Sequence, residues 1–239
     1  MHILDLTLPR PEENLACDEA LLEACEAGQA PSVLRFWEPR QAFVVLGYGN
    51  KMDTEVNVDF CEQNSIPVLR RCTGGGTVLQ APGCLNYSLI LPISSETQLH
   101  TVSATNRFIM GRNADALANL TGLPVRVEGC TDLGLNGLKF SGNSQRRRKN
   151  YLLFHGSFLL SAEISLIEKS LALPSKQPDY RQNRSHADFL TNLNITAAEI
   201  KAALRNVWGA SQLLINLPDD RVTALCRGKY DLASWNRKF

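Results

Sequence analysis

The 239-residue chain has no CxxC pair, no apolar run close to the roughly 18 residues of a membrane helix, and almost no net charge. Each absence removes a class of protein. The seven cysteines, Cys17, Cys25, Cys61, Cys72, Cys84, Cys130 and Cys226, are odd in number and scattered, which suggests neither a disulfide framework nor a zinc site and fits a reducing cytoplasm. The start, Met1-His2-Ile3-Leu4-Asp5, places an acid early and lacks the apolar stretch of a signal peptide, so a soluble, untargeted protein is expected. A formal net charge of +1 gives no overall pull toward nucleic acid or membrane. No internal repeat, heptad or low-complexity linker interrupts the chain, and 26.5 kDa can bury a substantial core. The expectation is one mixed α+β domain over residues 1–239.

What is present centres on Arg70 to Asn86. Two arginines lead into Gly74, Gly75 and Gly76, and Thr77-Val78-Leu79 follows. Ile66-Pro67-Val68-Leu69 before the glycines and the apolar, β-branched residues after them predict strands on both sides. A P-loop or dinucleotide fingerprint needs a helix after the glycines, and the Lys-Ser/Thr of a P-loop is missing. Two readings remain open. One is an anion-binding loop of exposed amides, with Arg70 or Arg71 forking onto a phosphate or carboxylate; the other is a glycine-rich turn with solvated arginines.

Elsewhere the pattern predicts a helix from Leu15 to about Ala27 capped by Asn14, with Asp18, Glu19 and Glu23 mostly facing out. Val33–Trp37 and Ala42–Leu46 read as strands of a hairpin. Short helical signals over Val56–Asn64, a strand over Leu85–Leu91 and a longer helix from Ser103 to Thr121 follow. Lys139 is the only cation in an apolar, small-residue strand. It reads either as a snorkelling edge lysine or as a point charge aimed into a site. Tyr151–Leu160 returns as a neighbouring strand carrying His155, either a hydrogen-bonded structural residue or part of a site wall. Between them Arg146-Arg147-Arg148-Lys149 is a solvated turn or a docking patch for an acidic partner. After a helix over Glu163–Leu171, the polar stretch Pro174–Ser185 is a loop that could cover a site, and helices over Thr196–Trp208 and Asp219–Asp231 close the chain.

Taken together, Asn14-Leu15-Ala16-Cys17-Asp18-Glu19-Ala20, Leu34-Arg35-Phe36-Trp37, Arg70-Arg71-Cys72-Thr73-Gly74-Gly75-Gly76-Thr77-Val78, Lys139-Phe140-Ser141-Gly142-Asn143-Ser144 and His155-Gly156-Ser157-Phe158 resemble the lipoate-protein ligase and octanoyltransferase family, whose catalytic domain is related to biotin ligase. The resemblance runs in order as far as Arg184-Ser185-His186 and Leu190-Thr191-Asn192-Leu193. It implies an α+β fold with a mixed β-sheet flanked by helices, and a tunnel for an eight-carbon acyl chain. It also implies ATP with Mg2+, lipoate or octanoate as the acyl substrate, and lipoyl domains of 2-oxoacid dehydrogenase E2 subunits or glycine cleavage H protein as acceptors. By similarity Lys139 is the catalytic residue. The substrate and nucleotide set is Arg70, Arg71, Gly74, Gly75, Gly76, Thr77, Val78, Leu79, Asp132, Ser141, Gly142, His155 and Gly156, and no side chain is assigned to a metal.

The sequence departs from the family pattern in three places. Gln80-Ala81 stands where ligases often have His-Asp, Thr131 stands where an asparagine often precedes the aspartate, and little length remains for a C-terminal accessory domain, so a separate small accessory subunit is an option. The favoured reading is an ATP-dependent ligase forming acyl-AMP. An octanoyltransferase is the alternative and needs a thiol, for which Cys72, Cys84 and Cys226 are the candidates. A non-catalytic acyl-binding module is the third.

Overall fold

The computed structural model describes residues 1–93 and 97–239. The strands among them are β1 (His2–Asp5), β2 (Val33–Trp37), β3 (Phe43–Leu46), β4 (Val68–Arg70), β5 (Val78–Gln80), β6 (Cys84–Pro92), β7 (Arg126–Glu128), β8 (Asp132–Leu135), β9 (Leu138–Arg147), β10 (Tyr151–Leu159) and β11 (Gln212–Leu213). They form a large mixed sheet in the order β11-β1-β2-β6-β10-β9-β8-β7 and a small one, β4-β3-β5. The α-helices are α1 (Pro11–Glu26), α2 (Met52–Glu55), α3 (Val58–Gln63), α4 (Val102–Thr121), α5 (Ile164–Ser170), α6 (His186–Phe189), α7 (Ala197–Val207), α8 (Asp219–Leu225) and α9 (Ala233–Asn236).

Period-2 alternation in β6 and β10 builds two cores. Leu85, Tyr87, Leu89, Phe154 and Phe158 pack with Ile109 and Leu117 of α4 and Leu204 of α7. Ile90 and Leu153 point to the other face, where Leu15, Leu21, Leu22 and Cys25 of α1 meet Val45 and Leu69 of the small sheet. A third cluster packs the small sheet against Ile167 and Leu171. The small sheet is thus held against the large one through α1 and α5.

Local chemistry sets the helix ends. Thr101 caps α4 by accepting from the Ala104 amide, and Gly122 ends it at φ +69°. Helix α1 starts earlier than Asn14: Pro11 has the φ of a first helical residue, and Glu13 reaches back to the Arg10 amide. Asn14 is instead buried inside the helix and bonds the backbone at Leu8 and Arg10. The expected outward acids are also corrected, because Asp18 and Glu19 are buried. The helix expected over Asp219–Asp231 ends as α8 at Leu225 and passes into a π-turn over Cys226–Tyr230.

Strands β2 and β3 form no hairpin. Every residue of both is buried, and each already has a partner on both edges: β1 and β6 for β2, β4 and β5 for β3. The turn at Pro39 therefore carries the chain from one sheet to the other.

Candidate active site

A cavity of about 1100 Å³ takes its walls from both sheets, from α1, from residues 174–179 and from Arg181. Leu15, Trp37, Val45 and Val78 give it apolar walls, while the glycine loop and the first half of β9 give it polar ones. Its volume exceeds that of an ordinary single-ligand pocket.

The glycine loop joins β4 to β5, and the two arginines before it have separate fates. Arg70 is fully buried outside the cavity: its guanidinium donates to the carbonyls of Gly47, Tyr48, Asn50, Trp235 and Asn236. Arg71 lines the cavity and gathers the loop around itself. It donates to the carbonyls of Val45 (3.3 Å), Gly74 (2.6 Å) and Gly76 (2.7 Å), and to Thr73 Oγ1 (2.9 Å). Burial lowers its pKa to about 10, so it is still charged at neutral pH. With Gly74 and Gly76 carbonyls turned to the guanidinium and Gly75 at φ +85°, the amides of Gly74, Gly75 and Gly76 have no acceptor among the described residues. Unpaired amides on consecutive residues are an anion-binding arrangement. Thr77, Val78 and Leu79 continue along the same wall.

Lys139 lines the same cavity from β9. Its ammonium lies 2.8 Å from Asp132 Oδ1 on β8, and Tyr180 donates to Asp132 Oδ2 at 2.7 Å. The Lys139 side chain is 24% exposed, so it can still meet a ligand. Gly142 makes the geometry possible, because a Cβ there would lie 2.9 Å from Lys139 Nζ. Gly156 does the same for Asn143, whose side-chain oxygen a Cβ would strike. Asn143 in turn donates to Thr131 O (2.7 Å) and to Ser141 Oγ (3.2 Å), and accepts from Tyr87. It thereby fixes the turn before Asp132.

His155 sits opposite Ser144 of β9, and its ring bridges two residues. Nδ1 lies 3.1 Å from Asp18 Oδ2 and Nε2 lies 2.7 Å from Thr73 Oγ1. Asp18 also takes Arg35 (2.6 Å) and Ser88 (2.7 Å). Burial alone would raise the Asp18 pKa, but Arg35, His155 and Ser88 outweigh it and hold the carboxyl below its ordinary value.

The structure therefore brings together Arg71, the glycine loop through Leu79, Asp132, Lys139, Ser141, Gly142, His155 and Gly156, and leaves Arg70 outside. Sequence reasoning missed Asp18, Thr73, Asn143 and Tyr180 as parts of the site. The one available signal was an Asp-Glu pair among Leu15, Leu21 and Leu22, in a helix too apolar to leave both acids in water. It also missed Cys130, which is exposed and lines the cavity two residues before Asp132. Cys72, Cys84 and Cys226 are buried, and burial pushes each thiol up to about 11, so none of them is an activated nucleophile. The basic run is largely committed as well. Arg146 pairs with Glu19, Arg148 pairs with Glu23, and Arg147 donates to the carbonyls of Leu99 and His100.

A mixed sheet flanked by helices thus borders a cavity in which apolar walls, the glycine loop and Lys139 meet. The model of the lipoyl protein ligase A/B catalytic domain matches residues 10–207, and the chain belongs to that family. It is 31% identical to a probable lipoate-protein ligase A of Mycoplasma pneumoniae over 70% of this chain, and spans about half (48%) of that relative. It is 26% identical to the octanoyltransferase LipM of Geobacillus kaustophilus, over 95% of this chain and 94% of the relative. Among solved structures, the bi-partite lipoate protein ligase of Thermoplasma acidophilum, described with its E2 lipoyl domain, superposes at TM-score 0.85 with 22% identity over 99% of this chain and 95% of that one. A lipoate-protein ligase A bound with ATP superposes at 0.82 with 23% identity over 99% and 98%. A further Thermoplasma acidophilum structure, with bound lipoic acid, superposes at 0.83 with 22% identity over 99% and 98%. At these identities the structural likenesses establish the fold.

Proposed function

We propose that the chain is an ATP-dependent lipoate-protein ligase acting as one catalytic domain. The observation that carries the reading is that the unpaired amides of Gly74 to Gly76 and the Lys139–Asp132 pair share one cavity with apolar walls. The apolar walls would take the chain of lipoate or octanoate. In the first step the acyl carboxylate attacks the α-phosphorus of ATP, the C–O–P anhydride forms and pyrophosphate leaves. The loop amides and Lys139 would hold the charge that builds on phosphorus, where donors fixed in advance are each worth on the order of 10²–10³ in rate. In the second step the acceptor lysine nitrogen attacks the anhydride carbon, the amide forms, and AMP departs with the bonding electron pair while the amine loses its proton. Lys139 would stabilise the oxyanion of that step.

Magnesium would be held mainly by the triphosphate oxygens and water, as that ion usually is beside phosphates. Asp132, with one oxygen on Lys139 and one on Tyr180, serves to aim the lysine. The acceptor would be a lipoyl domain of an E2 subunit or an H protein, met in the cytoplasm, and a separate small accessory chain is an option, as in the bi-partite ligase of Thermoplasma acidophilum. No helix among the described residues is long and apolar enough to cross a membrane.

Cys130 favours a second reading, an octanoyltransferase. It is the exposed cysteine of the chain and lines the same cavity, so it replaces the buried Cys72, Cys84 and Cys226 as the thiol that would carry the acyl group as a thioester. Acyl transfer to an apo lipoyl domain, with lipoate, ATP and magnesium in one arm and octanoyl carrier protein without ATP in the other, separates the two. A ligase modifies the acceptor only with ATP, releases pyrophosphate and survives Cys130→Ser. Modification from the carrier protein alone, abolished by Cys130→Ser, would replace the ligase with the transferase.

A further inference from the structure

Asp18 is buried yet uses both carboxylate oxygens. Oδ1 accepts from Arg35, whose other terminal nitrogen is anchored on Asn14 Oδ1 (2.8 Å) and Leu6 O (3.3 Å). Oδ2 accepts from Ser88 and faces His155 Nδ1. An ionised carboxylate brings no proton of its own, so the proton between it and the ring must sit on Nδ1. In the neutral ring Nε2 then carries the lone pair and takes the hydroxyl proton of Thr73, while Thr73 Oγ1 accepts from Arg71 Nε. The directions of the two His155 links in this chain follow from the charge on Asp18, whereas the guanidinium of Arg71 can only donate to Thr73. The chain ends on the guanidinium that holds the Gly74 and Gly76 carbonyls.

We propose that Asp18 is a positioning residue for the glycine loop. By fixing the tautomer of His155 it orients Thr73, and through Thr73 and Arg71 it sets the carbonyls of the loop and so the direction of the free amides. The catalytic meaning of this relay rests on the adenylating reading given above, whereas its geometry does not. Asp18 and His155 line the cavity, as do the apolar Leu15 and Trp37. An acyl chain packed against these residues would shield the relay from water and strengthen its bonds.

Asp18→Asn tests the polarity of the relay at nearly constant shape. Its amide nitrogen cannot turn toward Arg35, which only donates, so it must face His155 and offer a proton where the carboxylate accepted one. The ring proton then moves to Nε2, and two N–H donors, from His155 and Arg71, converge on one hydroxyl oxygen. The experiment is ¹⁵N-histidine NMR of the full chain at a pH where the imidazole is neutral, with amide spectra of Gly74, Gly75 and Gly76. Four histidines keep the assignment tractable. The expected result is an Nδ1–H tautomer in the unaltered protein, a switch to Nε2–H in Asp18→Asn, and displaced glycine amides in that variant. Thr73→Val, at the other end of the relay, should keep the Nδ1–H tautomer and still displace the same amides. It serves where Asp18→Asn does not fold. An Nε2–H tautomer in the unaltered protein, or glycine amides unmoved by either variant, overturns the proposal. Failure of the ligase reading shows separately, as absence of ATP-dependent pyrophosphate release, because the NMR experiment uses no nucleotide.

Discussion

Adjacent residues in this protein serve opposite sides of the small sheet and of α1. Arg71 and Asp18 face the cavity; Arg70 and Glu19 face the C-terminal segment. On the reverse side the polar groups are consumed internally: Arg70 takes five backbone carbonyls, and Glu19 takes Lys229, Tyr230 and Arg146. On the cavity side the same kinds of residue are arranged to leave something over, namely free glycine amides and a partly exposed lysine. A buried charge whose partners are all protein groups fixes geometry. A charge whose partners hold it at the edge of a cavity can act on a ligand.

That contrast can be broken by substitution. Lys139→Ala should lower acyl transfer by roughly 10²–10³-fold or more with an unchanged melting temperature; near-normal turnover would remove Lys139 from the mechanism. Arg70→Leu should do the reverse, costing about 3 kcal/mol of stability in urea unfolding while the folded fraction keeps its turnover. A loss of turnover at full stability would move Arg70 into the site. Gly142→Ala should displace the tip of Lys139, a flexible group, and so lower turnover by about tenfold with little change in stability. A fall in stability with intact turnover would show that the strand, not the lysine, yields.

The acid limb of stability sharpens the comparison further. Burial would raise the pKa values of Asp18 and Glu19, but Arg35 on one and Lys229 and Tyr230 on the other hold both below their ordinary values. A depressed carboxylate stabilises the fold above its unfolded pKa of about 4 and loses that contribution as pH falls through its folded value. Unfolding midpoints should therefore drop below about pH 4, less steeply in Glu19→Gln than in the parent. The smallest effect is expected at Lys149, the exposed end of the basic run: Lys149→Ala should leave acceptor KM within about twofold. A large, salt-dependent rise in KM would restore the run as a docking patch.

Much of this was legible in the residues. The end of α4 at Gly122 was, because a left-handed C-terminus is local chemistry, while its start lies one residue before the expected Ser103, where Thr101 supplies the cap. The flanking β-branched residues put the glycine loop between strands for the same reason, and the Lys139 and His155 strands pair through a short turn. Elements joined by long-range pairing were not legible: a strand's pattern says that it is buried, not which edges it uses, so β2 and β3 could pass for a hairpin. The helix carrying Asp18 and Glu19 shows the limit most clearly. Its sequence places two acids side by side, and only the arrival of Arg35, Ser88 and His155 on one side and Lys229 and Tyr230 on the other, up to 211 residues away, makes both burials tolerable. The sequence by itself determined the glycine loop, its strands and the lone lysine, since these depend on backbone freedom and local pattern. The tertiary structure alone decided that Arg71 rather than Arg70 enters the cavity, that Asp18 reaches the loop, and that Cys130 is the exposed thiol, because each depends on partners brought together from distant parts of the chain.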